Sequence, residues 1–400
     1  MINNEKQKLE ANIWKFYLFD IFEAMLFAVP IIVLFWQENG LSLTQIMILQ
    51  SLFAIAIVLL ELPTGYFADM YGRKNILLLS GISFVIAISI YSIGFSFAAF
   101  LLAELFFALA LSLYSGTSSA FVYDTLKQLK RENEYKKIFG KAKYYGFIAM
   151  AFSQIIGGFV GKINFRWTFY LTIPFYLLTV FITISMHEPK RNKLIVEKNN
   201  FKNHLRKLIK ILKYSLINNI KMRWLIIFSA IIYAVNSAGL WLYQPYFKLT
   251  GIDIAYFGII FASFQIVSAI SSKYAHKIEN KLGMKTSLII LIPIIFIGYL
   301  LTSKIIFLFS FVFIYFFQFV RAFSDPIFSD YINKLTTSDI RATVLSVQSL
   351  ARRLLYAILI PFIGWIADVY SLVQAFAVAG IVTAVIGVIV LFMLYKDDVI

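Results

Sequence analysis

Cysteine is absent from the 400 residues, which excludes disulfides, thiolate metal sites and a cysteine nucleophile. Histidine is almost absent: His187, His204 and His276 fall in polar stretches between apolar ones, so no shared metal centre is expected. Charge is scarce. Only 14% of the residues are charged and 60% are hydrophobic, whereas a soluble globular chain carries about 25% charged residues. The signatures H-E-x-x-H, G-x-S-x-G and a glycine-rich phosphate loop are missing, so neither an enzyme nor a cofactor is expected. These absences describe a chain dissolved in lipid.

Long apolar runs are abundant. A hydrocarbon core about 30 Å thick takes about 20 apolar residues of helix, and twelve such runs can be marked. The first six are Trp14 to Trp36, Thr44 to Phe67, Asn75 to Gly94, Phe95 to Tyr123, Ala142 to Gly161 and Phe165 to Met186. The second six are Arg223 to Phe247, Ile254 to Ala275, Thr286 to Leu301, Ile305 to Asn333, Ala342 to Ala367 and Leu372 to Tyr395. The first run follows Lys6 and Lys8 as a signal peptide would, but it is too long and lacks a small-residue cleavage site. It is expected to stay in the protein.

The net charge of +16 would point to nucleic acid in a soluble protein. Its distribution points elsewhere. With both termini on the cytoplasmic side, 29 Lys and Arg fall on that side and four (Lys162, Arg166, Lys248 and Lys304) on the other. That is a topology signal. The expected partner is therefore the bilayer of the inner, cytoplasmic membrane, with no nucleic acid.

Residues 187–222 form a basic, polar linker between an N-terminal half (1–186) and a C-terminal half (223–400). Leu205, Leu208, Ile209, Leu212 and Leu216 stand at helical spacing there, as in an amphipathic helix on an anionic leaflet. A solvated connector fits equally well. The halves repeat one another: "SGTSSAFVYDTLKQL" at Ser115 resembles "RAFSDPIFSDYINKL" at Arg321, each with a span-ending aspartate, Asp124 and Asp330. "GGFVGKI" at Gly157 lines up with "PFIGWIAD" at Pro361, and "GRKNILLL" at Gly72 with "GMKTSLII" at Gly283. A parallel duplication of six spans places a cavity between halves.

Between the second and third spans lies "GYFADMYGRKN". Its Gly65, Asp69, Gly72, Arg73 and Lys74 fit G-x-x-x-D-x-x-G-R-K, which resembles the loop signature of the major facilitator superfamily; Met70 stands where a basic residue is often found. The resemblance covers essentially the whole chain. It implies an all-α membrane protein of twelve transmembrane helices in two pseudo-symmetric six-helix halves, working by alternating access. It also implies that this loop stabilises the outward-facing state. Within the family the fifth span resembles that of drug/proton antiporters: "SQIIGG" keeps Gly157 and Gly158 of a G-P-x-x-G-G pattern but not its first glycine and proline. In the fourth span Glu104 stands where those antiporters place an arginine, a reversal of charge.

Charges inside spans cost at least about 2.5–3.5 kcal/mol at the bilayer centre unless paired or hydrated. Asp20 and Glu23 share one face of the first span and suit a proton carrier, or one of them pairs with a base such as Lys15. Arg321 and Asp325 are four apart in the tenth span and can pair there, next to Pro326. Arg352 and Arg353 lie near the middle of the eleventh span, pointing about 100° apart, so one of them is expected to face an acid across the cavity, with snorkelling to the membrane surface as the alternative. Glu61, before Pro63, reads as a hinge anchor or as a further carboxylate for the proton relay. The resulting expectation is a monomeric secondary transporter exchanging protons for an amphipathic, drug-like compound that it exports. Proton-coupled uptake of a sugar or metabolite is the rival reading, and a transporter-like membrane sensor is the alternative from another class.

Overall fold

The computed structural model describes residues 2–190, 209–337, 340–397 and 399, without the side chains of 2–4, 62–69 and 342. Leu205 and Leu208 of the linker pattern lie outside the described residues. The described residues form helices and no strand, because a lipid-exposed backbone must satisfy its own polar groups.

The helices are α1 (Ile2–Glu23), α2 (Ile32–Glu38), α3 (Leu43–Tyr71), α4 (Arg73–Ile93), α5 (Phe97–Gln128), α6 (Tyr135–Ile163) and α7 (Phe165–Ser185). After the linker come α8 (Ile220–Ala238), α9 (Tyr243–Leu249), α10 (Phe257–Ile289), α11 (Leu291–Lys304), α12 (Tyr315–Lys334), α13 (Arg341–Val369) and α14 (Leu372–Lys396). Among the described residues ten helical stretches are long and apolar enough to cross a membrane. The expected ninth span is the shorter α11 together with the end of α10, which turns at Gly283.

The first span differs from the single run expected over Trp14 to Trp36. Helix α1 begins twelve residues earlier, at Ile2, and stops at Glu23, and α2 resumes at Ile32. Apolarity marks where a chain enters lipid; it marks neither where a helix starts nor where it breaks. In the gap the Phe27 amide donates to Thr172 Oγ1 at 3.3 Å, which satisfies a backbone group that the break releases. The seventh span breaks likewise, passing from α8 through the turn Leu240–Leu242 into α9.

The repeat is legible in the backbone. Gly40 and Gly251 have φ of 85° and 81°, Gly72 and Gly283 φ of 104° and 75°, all in the region that L side chains rarely adopt. The two members of each pair stand equally far apart in sequence, as do α2 and α9.

The chain divides into two compact units. One comprises Met1–Asn39, Ala56–Asn199 and Ile254–Ala262; the other comprises Gly40–Ile55, Asn200–Asp253 and Ser263–Ile400. The first is cored by Phe16, Phe19, Leu77, Tyr114, Phe121 and Leu126, and its α4 and α7 approach at Gly81, whose added Cβ would lie 3.1 Å from Thr179 Oγ1. Small residues at such crossings let helices meet closely where lipid supplies no hydrophobic drive.

Candidate functional site

The first unit holds a three-residue polar network in its apolar interior. Lys143 Nζ of α6 lies 3.0 Å from Asp20 Oδ2 of α1. Tyr114 of α5 donates its hydroxyl hydrogen to Asp20 Oδ1 and accepts one from Lys143. Packing brings them together. Gly146, one turn beyond Lys143, sits so near α1 that an added Cβ would stand 3.4 Å from the Asp20 carbonyl oxygen, and Tyr114 stacks on Phe19 at 5.7 Å. The Asp20 side chain is 2% exposed and that of Lys143 is 38% exposed, so the pair joins a buried carboxylate to a part-exposed ammonium. Glu23 lies one turn past Asp20, at the end of α1, and is half-buried.

Lys143 and Tyr114 are absent from the sequence candidates. Lys143 closes a basic run that counts towards the inner loop, yet it falls within the apolar run Ala142 to Gly161. That position was the available signal. Glu104 is buried about ten residues, or about 15 Å, along α5 from Tyr114. It accepts the Tyr91 hydroxyl, whose ring lies between Phe169 (5.2 Å) and Phe100 (5.6 Å).

At the loop signature, Gly65 and Asp69 fall in the last turns of α3 and their side chains lie outside the described residues. Gly72 makes the turn, and an added Cβ would meet Glu188 Oε1 at 3.1 Å. Glu188 accepts from the amides of Arg73 and Lys74 at 2.8 and 2.7 Å, capping α4 with a full negative charge at its positive end. Arg73 Nε lies 3.4 Å from Asp124 Oδ2.

Gly157 and Gly158 each admit a different backbone. A Cβ on Gly157 would fall 1.9 Å from the Phe27 carbonyl oxygen in the broken first span, and one on Gly158 would fall 2.8 Å from the Ala255 oxygen and the Gly258 nitrogen. The second unit repeats the latter approach: a Cβ on Gly364 would fall 2.8 Å from the Leu43 oxygen and 3.0 Å from Met47 Sδ. One turn beyond, Asp368 accepts from the amides of Leu43 (3.0 Å) and Thr44 (2.7 Å) and from the Thr44 hydroxyl, so it caps α3.

In the second unit, Asp325 takes Arg352 of α13 as its partner at 2.7 Å, while Arg321, four residues before Asp325, approaches Ser268 Oγ at 3.5 Å. Arg352 Nε also approaches Ser229 Oγ at 3.5 Å, and Gln348 donates to that hydroxyl at 3.2 Å. Arg353, the next residue on α13, is partly buried. Among the described residues no three His, Asp or Glu side chains come together as a metal ion requires.

The sequence profile described as the Major Facilitator Superfamily matches residues 16–359. The uncharacterized MFS-type transporter YxaM of Bacillus subtilis (strain 168) is 24% identical over 390 residues, 94% of this chain and 91% of its own. The quinolone resistance protein NorA of Staphylococcus aureus is 22% identical over 178 residues, 44% of this chain and 45% of its own. Among solved structures, a mutant form of the nucleoside transporter NupG superposes with a TM-score of 0.79 at 16% identity, covering 97% of this chain and 98% of that one. Matched by the profile over most of its length, and built of apolar helices like these relatives, the chain belongs to the Major Facilitator Superfamily of multi-pass membrane transporters.

Proposed function

We propose that the chain is a proton-coupled exporter of an amphipathic small molecule, working as a monomer in the cytoplasmic membrane with both termini inside. The observation that carries this reading is the Asp20–Tyr114–Lys143 network. A carboxylate removed from water persists as an anion only while a positive charge and hydrogen bonds hold it. A proton arriving at Asp20 cancels the attraction and frees Lys143, and losing the proton restores it. Protonation thereby switches the connection between α1 and α6, the helices that meet at Gly146. The glycine approaches at Gly158 and Gly364 fit the same reading, since surfaces meeting through glycine can part without stranding large side chains. The direction of transport draws on the partial similarity to NorA.

Reconstitution into proteoliposomes tests the reading. With an imposed pH gradient, lipophilic dyes and drug-like amphipaths should move against the proton flux, and collapsing the gradient with an ionophore should stop them. Movement of sugars along with protons would replace export by uptake. Gradient-independent silence across a broad panel of drugs and sugars would favour a sensor.

A further inference from the structure

Helix α10 carries a stripe that changes character along its length. Ile266, Ile270, Tyr274, Lys277 and Lys281 stand at i, i+4, i+8, i+11 and i+15, which is one helix face, and all five are exposed. The last four line a groove of about 500 Å³ together with Ser271, Ile278 and Phe319 of α12, every one of them in the second unit. Ser271 offers the groove no donor, because its hydroxyl is spent on the Val267 carbonyl at 2.7 Å. The wall is therefore apolar from Ile270 and Phe319 as far as Tyr274. It ends on two ammonium groups, carried about 10 Å and about 16 Å of helix beyond Ile270.

The charge at that end is one-sided. Residues 273–285 contain Lys273, Lys277, Lys281, Lys285 and His276 against a single acid, Glu279. Glu279 is two residues from Lys277 and from Lys281, about 200° round the helix from either, and it accepts the Tyr331 hydroxyl of α12 at 2.7 Å. It faces away from the groove. The Tyr274 ring lies 5.5 Å from Lys277 Nζ and 5.7 Å from Lys273 Nζ, and a tyrosine among lysines where an apolar run ends marks a membrane–water boundary. A free anion would gain nothing from Ile270 and Phe319, whereas a molecule with both a phosphate and an acyl chain uses both ends of the groove.

We infer that the groove between α10 and α12 binds one anionic glycerophospholipid, with an acyl chain against Ile270, Tyr274, Ile278 and Phe319 and the phosphate at Lys277 and Lys281. Spacing of four residues sets the two lysine stems one turn apart on one face, within reach of a single phosphate. A zwitterionic lipid brings its own cation to the same place and forfeits part of the attraction, so the site selects for net negative charge. The lipid covers one side of α10, while the bond from Tyr331 to Glu279 joins α10 to α12 on the other. This inference goes beyond the proposed export function and depends on neither its substrate nor its direction.

The test uses the purified full-length chain and native mass spectrometry, with dioleoyl phosphatidylglycerol and dioleoyl phosphatidylcholine offered at equal concentration. The wild-type protein should retain one phosphatidylglycerol in preference to phosphatidylcholine by about 30-fold, the combined worth of two lysines at an anionic surface. Lys277→Gln with Lys281→Gln should bring that ratio to about one. Lys136→Gln with Lys137→Gln removes the same charge from the exposed start of α6 and should leave the ratio unchanged. Ile270→Trp fills the groove without touching a charge and should lower retention of both lipids; Ile270 is exposed, so the core is left intact. Each ratio is read within one protein, so a general loss of stability does not mimic it. Equal retention of the two lipids by the wild-type chain would overturn the inference, as would a preference that survives Lys277→Gln with Lys281→Gln or is lost equally with Lys136→Gln and Lys137→Gln. Retention indifferent to Ile270→Trp would overturn it too, by placing the lipid outside the groove.

Discussion

Lys143 and Asp20, on different helices, stand 3.0 Å apart with Tyr114 bonded to both, and the helices that carry them meet through Gly146. In the proposed mechanism this charge pair, set against a close helix contact, links a protonation event to a packing event. Substitutions should separate the two. Asp20→Asn should abolish gradient-driven transport while leaving an inserted, folded protein and retaining counterflow exchange. Lys143→Gln alone leaves the buried carboxylate without its cation and should lower thermal stability. The double substitution Asp20→Asn with Lys143→Gln should recover most of that stability without recovering coupling. The coupling free energy expected from the double-mutant cycle is about 0.5–3 kcal/mol. Full gradient-driven transport by Asp20→Asn would remove Asp20 from the mechanism.

The glycines of α6 provide an internal control. An added Cβ on Gly157 would sit 1.9 Å from the Phe27 oxygen, whereas one on Gly140 would have nothing within 4 Å. Gly157→Ala should therefore cost about 1–3 kcal/mol or more through overpacking, and should slow transport if the broken first span must keep its place. Gly140→Ala, in a helix interior with open space, should gain about 0.5–1 kcal/mol. Melting temperatures of the two purified variants decide the matter, and equal shifts would contradict the close approach.

Much of this was readable in the residues. The glycine of "GRKN" and that of the faded "GMKT" both take positive φ, so the repeat preserved a backbone requirement after most of its side chains had diverged. Gly157 and Gly158 stood out because they keep the end of the G-P-x-x-G-G pattern that lets helices approach closely in drug/proton antiporters. What sequence could not supply was partnership. Spacing offered Arg321 to Asp325, but the side chain that reaches Asp325 comes from α13, because packing between helices decides which base arrives. Lys143 was hidden by its company, the last member of a basic run that looks solvated. Glu188 and Asp368 were invisible as caps, since the helices they cap are far away in sequence.

Topology can be tested because the native chain has no cysteine to remove. Glu38, the last residue of α2, and Asn133, in the connection between α5 and α6, are exposed, at ends that the basic-residue asymmetry assigns to opposite sides. A membrane-impermeant maleimide should label Glu38→Cys in intact cells and Asn133→Cys only in inverted vesicles. The reverse pattern would invert the proposed orientation.

Asp368 is expected to hold one end of the second span in place. Its carboxylate takes the amides of Leu43 and Thr44 at 3.0 and 2.7 Å together with the Thr44 hydroxyl. Those amides belong to the first turn of α3, where no intrahelical acceptor exists and the helix dipole favours negative charge. One turn back, Gly364 lets the same start of α3 lie against α13. If the proposed exporter works by alternating access, contacts of this kind break and re-form, and weakening the cap should then shift the equilibrium towards a parted arrangement. Loss of an N-cap costs about 0.5–2 kcal/mol, which corresponds to a change of about 2- to 30-fold in that equilibrium. Met47 is fully buried against Gly364, and Met47→Cys makes a reporter whose thiol reacts only when the two helices separate. Its maleimide labelling should accelerate within the same 2- to 30-fold range when Asp368→Ala is added, and less when Asp368→Asn is added, because asparagine keeps one acceptor oxygen but loses the charge. Transport should change in the same variants without loss of folded protein, since the cap selects between two packed arrangements and is not part of either core. If the labelling rate is the same with and without Asp368→Ala, the carboxylate caps α3 without governing its separation from α13.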